Sequence, residues 1–443
     1  MYPLEPDRIY AHAALRTNPD AMERLHRFLQ AMQRSADQVD WYSHENAVRV
    51  AQEVEGWQGD TSRLLWKYRQ PVIFTRFAWE GRLEDDPVYI NRPTDTPLSN
   101  LRHALGYFPA ATPHHTPEMD AASGMTCWPA MFLAAVNGCP HACVYCGAGS
   151  RGKAMVVTLN VNEYLEHGIR PVLEDNPWQK CFLMMGSADI GTLEPEYGLF
   201  EAFLNLLAEY EDRYGYCHTN GDNVDWAAGL THPDRLIFVW SLCSNEAAEL
   251  LEPCAPSASS RIHAMARLND WGVPVRVKLK PVLPVRGWRD SYARCINELL
   301  ERAQPETLGF ASLIWMDYDG LCRTFDTERL DPEFVEAARL AQDEMRGSRH
   351  GPFPHATREM MYRFLIDAAR RHNPAIPLFL STETTAMWDS LKDQLGQNPR
   401  RFLCGCSPIQ GPGPRHLEST LRVSNYATNK AAPAAMQEAR GGV

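Results

Sequence analysis

The sequence lacks three features that would place it in common classes of membrane, secreted or nucleic-acid-binding protein. No apolar run approaches the roughly 20 residues of a transmembrane helix. The first residues, MYPLEPDRIY, contain no basic segment followed by an apolar one, so we expect no secretory signal and a cytoplasmic location. The chain has 44 basic and 55 acidic residues, a net charge of −11, which argues against a protein that wraps nucleic acid. With 44% hydrophobic residues it is instead typical of a globular protein that does not bind membranes.

The pattern of apolar residues divides the chain into five regions. Residues 19–34 place Met22, Leu25, Leu29 and Met32 on one helical face, and this predicts an amphipathic helix. We expect the following organisation: an N-terminal helical region (1–56), an irregular insertion (57–125), a core of βα units (126–330), C-terminal helices with a short strand and a Gly/Pro loop (331–425), and a disordered tail (426–443).

Short apolar runs alternate with helical stretches through the core region. Six strands are predicted: AMFLAAV (130–136), CFLMM (181–185), YGYCHT (214–219), LIFVWSL (236–242), VPVRVKL (273–279) and TLGFASLIW (307–315). A seventh run, PLFLST (377–382), follows two further helices. Strands that alternate with helices form parallel sheets with outer crossover helices. The predicted fold class is therefore α/β, and a partial or complete barrel fits at least as well as an open sheet; in a barrel the active face lies at the carboxyl ends of the strands.

Twelve cysteines without a secretory signal argue against a disulfide framework. Three of them, Cys139, Cys143 and Cys146, lie within the segment NGCPHACVYCGAG (137–149). Three thiolates can hold a four-iron cluster and leave one iron without a protein ligand. The spacing of three residues and then two is the radical S-adenosylmethionine (SAM) signature. A structural zinc site is the alternative, with His141 as a fourth ligand.

Beyond this loop, the chain resembles the spore photoproduct lyase family of radical SAM enzymes, which repair a thymine dimer. The resemblance rests on an ordered series of segments: RIYAHAALRTNPDAMERLHRFLQAM, YSHENAVRV, GSADIG (186–191), TNGDNVD (219–225), FVWSLCS, LEPCAPSASSRIHAMARL, Gly287–Trp288 and STETTAMW (381–388). It covers most of the chain outside residues 57–125 and the C-terminal tail.

The resemblance implies a partial βα barrel with a 4Fe-4S cluster on Cys139, Cys143 and Cys146. It implies that SAM chelates the open iron and yields a 5′-deoxyadenosyl radical after reduction by a partner such as flavodoxin or ferredoxin. It also places SAM contacts at Tyr145, at Gly186 and Ser187, at Asn220 and at Ser241. Arg261 is a further candidate for the SAM carboxylate, with a surface salt bridge as the alternative.

Two departures from the family argue against transferring its substrate. Gly186 stands where the family has the cysteine that donates a hydrogen atom, and Asn220 replaces a lysine near SAM. Cys217, on the third predicted strand, is a candidate replacement for the donor, and a buried cysteine without chemistry is the alternative. Cys404 and Cys406, in the C-terminal Gly/Pro loop, have no assigned role at this point: a thiol donor and ligands of a second metal are both considered.

A basic stripe distinguishes the fifth predicted strand. Side chains alternate along a strand, so Arg276, Lys278 and Lys280 share one face and the apolar residues between them share the other. The apolar face should pack on the helices, and the three cations should then face the barrel lumen. Isolated buried charges are costly. The cations therefore pair either with acidic lumen residues or with an anionic substrate.

These observations predict a radical SAM enzyme, with lyase- or transferase-type chemistry, that removes hydrogen from a small anionic substrate. A nucleotide or a phosphorylated sugar fits best, and carbon–carbon bond formation in natural-product synthesis is one such reaction. Repair of a DNA lesion is the first alternative, and a non-enzymatic metal-binding interaction module is the second.

Overall fold

The protein folds around two β-sheets, as seen in a computed structural model. The structure describes residues 1–58, 69–114, 124–128, 130–141, 143–146, 154–184, 188–399 and 402–413. The predicted tail (426–443) therefore lies outside the described residues. No helix in the described ranges is both long and apolar enough to span a bilayer.

The first sheet has five strands in the order β2-β1-β3-β8-β7. Its strands are β1 (Ile9–His12), β2 (Val39–Tyr42), β3 (Val72–Thr75), β7 (Val136–Asn137) and β8 (Met155–Thr158). All pairs are parallel except β7 with β8. Strand β3 lies at the centre, and its four residues are buried. Residues 69–114 thus form a central strand of this sheet and two helices, whereas an irregular insertion was expected. The strand was missed because a buried run of four residues has no periodic pattern in the sequence.

The second sheet has eight strands in the order β14-β13-β12-β11-β10-β9-β6-β4. They are β4 (Ala111–His114), β6 (Ala130–Leu133), β9 (Cys181–Met184), β10 (Tyr214–Thr219), β11 (Leu236–Leu242), β12 (Val275–Val282), β13 (Leu308–Ser312) and β14 (Leu378–Leu380). All neighbours are parallel except β4 with β6. Strands β6 and β9–β13 follow chain order, as expected for a partial (βα)6 barrel. The edge strands β4 and β14 do not pair with each other in the described ranges, so the barrel is open.

One predicted strand is divided between the two sheets. The run 130–136 was predicted as a single strand, but β6 ends at Leu133 and β7 begins at Val136 in the other sheet. The cysteine loop therefore begins after β7. A third, two-stranded sheet joins β5 (Met125–Thr126) to β15 (Glu383–Thr384).

Helices pack on both sheets. The predicted first helix is confirmed as α1 (Pro19–Ala31), where the Asn18 side chain accepts a hydrogen bond from the backbone of Ala21 and caps the helix. The other helices are α2 (Ala47–Gly56), α3 (Pro87–Ile90), α4 (Leu98–Leu105), α5 (Val161–Glu163), α6 (Arg170–Asp175), α7 (Leu199–Ala208), α8 (Asn245–Leu251), α9 (Ala258–Asp270), α10 (Trp288–Arg302), α11 (Tyr318–Thr324), α12 (Pro332–Leu340), α13 (Gln342–Met345), α14 (His355–His372) and α15 (Thr385–Leu395).

Strand alternation gives the large sheet two different faces. On β12, Val275, Val277 and Leu279 are buried in the main hydrophobic core beneath the helices. Arg276 and Lys278 therefore point to the opposite, lumen face, as the sequence pattern predicts. A small apolar cluster that includes Tyr216 and Val239 lines the same lumen.

Candidate functional site

The cysteine loop lies over the carboxyl ends of the barrel strands. Cys139 and Cys143 are half-buried and Cys146 is exposed. The backbone N–H of Val144 donates to the carbonyl of Leu251 at 2.9 Å, which attaches the loop to the end of α8. The loop is therefore placed by contacts with the segment that follows β11.

A buried polar network joins this loop to strand β10. The Tyr145 hydroxyl donates to Glu252 Oε1 at 2.6 Å. The Asn220 amide, just beyond the end of β10, donates to the same oxygen at 2.8 Å and lies 3.6 Å from the Cys143 sulfur. Glu252 forms an ion pair with Arg261 at 2.5 Å, and both side chains are completely buried. Tyr145 and Asn220, two predicted SAM contacts, are thus brought together beside Cys143.

Asp189 is the centre of a second network on the same face. Its Oδ2 accepts hydrogen bonds from the Thr219 hydroxyl at 2.9 Å and from the Asn220 backbone N–H at 2.8 Å. The same oxygen lies 3.2 Å from His141 Nε2. The Tyr2 ring packs edge-on against the His141 ring, with centroids 4.8 Å apart. Asp189 therefore fixes the end of β10 to the cysteine loop.

The arrangement of these side chains suits an iron–sulfur cluster better than zinc. The charges of Cys139 and Cys146 both contribute to the raised pKa of Cys143, after burial and the charge of Glu252. His141, the possible fourth zinc ligand, pairs through Nε2 with Asp189. Three thiols with no fourth protein ligand among the described residues fit a cluster with one open iron.

Two of the other predicted SAM contacts, Gly186 and Ser187, lie outside the described residues. Ser241 is half-buried near the end of β11, and its carbonyl accepts a hydrogen bond from Arg261 Nη1 at 3.3 Å. Arg261 is fully buried and paired with Glu252, so the surface salt bridge considered for it is wrong.

The structure places Cys217 away from the lumen. Its side chain is completely buried in the core beneath the helices. It pairs in register with Phe238, whose ring stacks on Phe200 of α7, while its neighbours Tyr216 and His218 point to the opposite face. The expectation that the Cys217 thiol faces the lumen is therefore corrected.

The three cations of the stripe differ in their partners. Arg276 is fully buried and donates to Glu306 at 2.8 Å and to the carbonyls of Gln410 and Gly411 at 3.3 and 2.7 Å. It thus holds the C-terminal loop against the amino-terminal end of the barrel. Arg276 was expected to bind substrate, but its guanidinium is already satisfied by internal partners.

Lys278 and Lys280 lie closer to the active face and have no carboxylate partner within the described ranges. Lys278 Nζ is 3.1 Å from His218 Nε2. Lys280 Nζ donates to the hydroxyls of Ser381 and Thr382 at 3.2 and 3.3 Å. Burial and the charge of Lys278 lower the pKa of Lys280 to about 8.

The arrangement of strands and loops matches known structures. A spore photoproduct lyase complexed with dinucleoside spore photoproduct superimposes with a TM-score of 0.56 at 16% sequence identity, covering 85% of this chain and 98% of that one. The chain shares the fold of spore photoproduct lyase. A doubly substituted variant of that enzyme, with bound AdoMet and dinucleoside spore photoproduct, matches with a TM-score of 0.55 at 15% identity and the same coverage.

The likeness to spore photoproduct lyase is structural. No protein-family profile matches the chain, and no curated protein matches it in sequence. The fold expected from the sequence resemblance is nevertheless confirmed, because the match covers nearly the whole of the spore photoproduct lyase chain.

Asp189 and Glu252 are the site residues that sequence reasoning did not single out. Both lie in segments, GSADIG and LEPCAPSASSR, that carried the resemblance to spore photoproduct lyase. Each is a buried carboxylate whose partners come from distant parts of the chain. A buried charge needs partners, and only the tertiary structure shows which they are.

We expect Arg276→Met to release the C-terminal loop. Glu306 would lose its guanidinium partner, and breaking such a pair costs about 3 kcal/mol or more of unfolding free energy. The measurements are urea denaturation and the rate of limited proteolysis within residues 402–413. Arg302→Met is the control, because its ion pair with Glu298 is exposed and should contribute less than about 1 kcal/mol. Equal effects of the two substitutions would contradict the anchoring role.

Proposed function

We propose that the protein is a radical SAM enzyme that acts on a small anionic substrate. The proposal is supported by the three thiols of Cys139, Cys143 and Cys146 on a loop over the barrel, joined through Asn220 and Tyr145 to a buried network. The bound cluster and SAM would supply the 5′-deoxyadenosyl radical. The residues of the chain hold the loop in place.

Lys278 and Lys280 support the proposal that the substrate is an anion. Lys280 lies one layer below the carboxyl end of its strand, and Lys278 lies about 7 Å deeper in the lumen. Lys278 is buried and Lys280 is half-buried, and cations without carboxylate partners in the described part of the chain would be stabilised by an anionic ligand. A phosphate or carboxylate near Lys280 would accept hydrogen bonds from its ammonium group. A nucleotide or phosphorylated sugar therefore remains the proposed substrate class.

The test of the radical chemistry is SAM cleavage. The protein should be reconstituted anaerobically with iron and sulfide, reduced with dithionite, and mixed with SAM. We expect 5′-deoxyadenosine and methionine to form. If a loaded cluster is visible by absorption but no 5′-deoxyadenosine appears, the proposal fails and the metal-binding interaction module is favoured instead.

Binding of an anionic substrate by Lys280 can be tested with thymidine 5′-monophosphate as the probe. An anion binds the protonated form of Lys280, so the affinity for the phosphate dianion should be highest near pH 7 and should fall about tenfold per pH unit above pH 8. Lys280→Met should bind weakly at every pH. Uncharged thymidine is the matched control and should show no such pH dependence. A pH-independent affinity for the nucleotide would contradict this role of Lys280.

Repair of a DNA lesion is the second candidate function. It is supported by the fold match to spore photoproduct lyase complexes that contain the dinucleoside lesion. It requires binding to irradiated duplex DNA, with an affinity that falls steeply as salt rises. Binding to the mononucleotide without binding to irradiated duplex would favour the small-molecule proposal.

A further inference from the structure

Two cysteines of the C-terminal loop lie inside the barrel. Residues 402–413 cross its amino-terminal end, where the carbonyl of Pro408 accepts hydrogen bonds from the backbone of Lys180 and Cys181 at 2.7 and 2.9 Å. Cys406 packs against the lumen face, and its carbonyl accepts a hydrogen bond from the Tyr216 hydroxyl at 3.3 Å. Cys404 is buried beside it. The loop thus brings two thiols into the lumen that carries Lys278.

Glycine at position 405 allows this close approach. A Cβ atom there would lie 3.0 Å from Val239 Cγ1 on β11 and 3.8 Å from the Arg276 Cβ atom. A side chain at position 405 would require Val239 Cγ1 to shift by a few tenths of an ångström. The sequence Cys-Gly-Cys therefore fits a turn that places both sulfurs against the strands.

Cationic and hydrogen-bonding groups surround the Cys406 sulfur. Interaction with the neighbouring Cys404 thiol is the main cause of a Cys406 pKa well below the ordinary thiol range. The charge of Lys278 and a hydrogen bond from His218 add to the effect, while burial opposes it. The pKa of Cys404 is raised well above its ordinary value, first by burial and then by its hydrogen bond to Cys406.

The other titratable groups around the Cys406 sulfur do not change the directions in which the pKa values of Cys406 and Cys404 are shifted. Tyr216 and Cys181 line the same face, and burial raises the pKa of both, so they stay neutral. Lys280 supplies a second positive charge at neutral pH, since its pKa of about 8 keeps most of it protonated. Cys127 is near enough that its charge raises the pKa of Cys404. Cys406 thus lies on the lumen face that also carries Lys278 and His218.

We propose that Cys404 and Cys406 form a redox-active dithiol in the barrel lumen, in which Cys406 attacks small disulfides and Cys404 resolves the product. This activity is separate from SAM cleavage. Cys406 is half-buried and Cys404 is buried, so Cys406 is the more accessible of the two. Residues two apart in a turn satisfy the Cα separation of roughly 4.4–6.8 Å that a disulfide needs.

The reaction balances as two exchange steps. The Cys406 thiolate attacks one sulfur of a disulfide RSSR, the S–S bond breaks, and RS⁻ leaves. The Cys404 sulfur then attacks the Cys406 sulfur of the mixed disulfide, and its proton leaves with the second RS group as RSH. The dithiol loses two electrons to form the Cys404–Cys406 disulfide, and RSSR gains them as two thiol equivalents.

The test uses dithiodipyridine as the disulfide and the full chain with its cluster loaded, so that the cluster cysteines are ligated. At pH 6 an ordinary thiol is less than about 1% thiolate. We expect a fast phase that releases two equivalents of thiopyridone, on the order of tenfold faster than the exposed thiol of Cys322 reacts. Absence of this fast phase in the wild-type protein would overturn the proposal, whatever the result of the SAM assay.

Substitutions assign the two roles. Cys406→Ser should lose the fast phase, and Cys404→Ser should release one equivalent and retain a mixed disulfide visible by mass spectrometry. Cys322→Ser is the matched control and should keep the fast phase. Release of two equivalents by Cys404→Ser would contradict the resolving role and point to Cys127. If a variant does not fold, peptide mapping of wild-type protein treated with glutathione disulfide decides: a Cys404–Cys406 disulfide supports the proposal, and its absence overturns it.

Discussion

Replacing Cys143 with alanine is expected to remove the iron–sulfur absorption of the reconstituted protein and to abolish SAM cleavage. Cys143 belongs to the cysteine loop, and its sulfur lies 3.6 Å from the Asn220 amide nitrogen. A cluster held by three thiolates cannot keep its geometry on two. Loss of an outer-shell partner costs a metal site roughly 10- to 100-fold in affinity or activity. Loss of a ligand should cost more, so we expect a decrease of at least about 100-fold.

The control for this substitution is Cys322→Ala. Cys322 is an exposed cysteine on α11, and its removal should leave iron content, absorption near the cluster bands and 5′-deoxyadenosine yield unchanged. Asn220→Ala tests the neighbouring network, and its effect should be smaller because it removes a contact and not a ligand. If Cys143→Ala binds as much iron and cleaves SAM as fast as the control, the assignment of the cluster loop is incorrect.

The barrel could be predicted from the sequence because its strands are short apolar runs in chain order. YGYCHT and LIFVWSL were predicted with the bounds that the structure shows, Tyr214–Thr219 and Leu236–Leu242. The first sheet was missed for the opposite reason. Its strands have four residues or fewer and lie far apart in the chain, so neither length nor periodicity marked them.

The direction of side chains was predictable on one strand and not on another. On β12, valine and leucine alternate with cations, so the apolar residues identify the face that packs on the helices. On β10, the run YGYCHT has no such contrast, because tyrosine, cysteine and histidine occur both in cores and in lumens. The alternation of side chains alone could not decide whether Cys217 faces the helices or the lumen. The structure resolves the choice in favour of His218 and Tyr216 as lumen residues.

The partners of the buried charges could not be predicted at all. Arg276 pairs with Glu306 and with a loop more than a hundred positions later, and the contacts with Gln410 and Gly411 arise only when the barrel has formed. The sequence pattern correctly placed a cation in the lumen. It could not distinguish a cation that binds substrate from one that anchors the chain, because both require the same strand position.

Glu252→Gln is expected to produce the largest loss of stability of any single conservative substitution in the site. Glu252 and Arg261 are both completely buried, and they form an ion pair at 2.5 Å. The amide would leave the guanidinium charge of Arg261 without compensation. Removing one partner of such a pair costs about 3–5 kcal/mol of unfolding free energy. The Tyr145 hydroxyl and the Asn220 amide would also lose their shared carboxylate acceptor.

Glu249→Gln provides the matched control one helical turn earlier. Glu249 pairs with Arg329 at 3.2 Å, but its side chain is 68% exposed, so its loss should cost less than about 1 kcal/mol. Urea denaturation followed by circular dichroism compares the two variants under the same conditions. If both variants unfold at the same urea concentration as the unsubstituted protein, the ion pair of Glu252 and Arg261 does not hold the cysteine loop to the end of α8. A large shift for Glu252→Gln alone would show that this segment depends on the ion pair beneath the cluster loop.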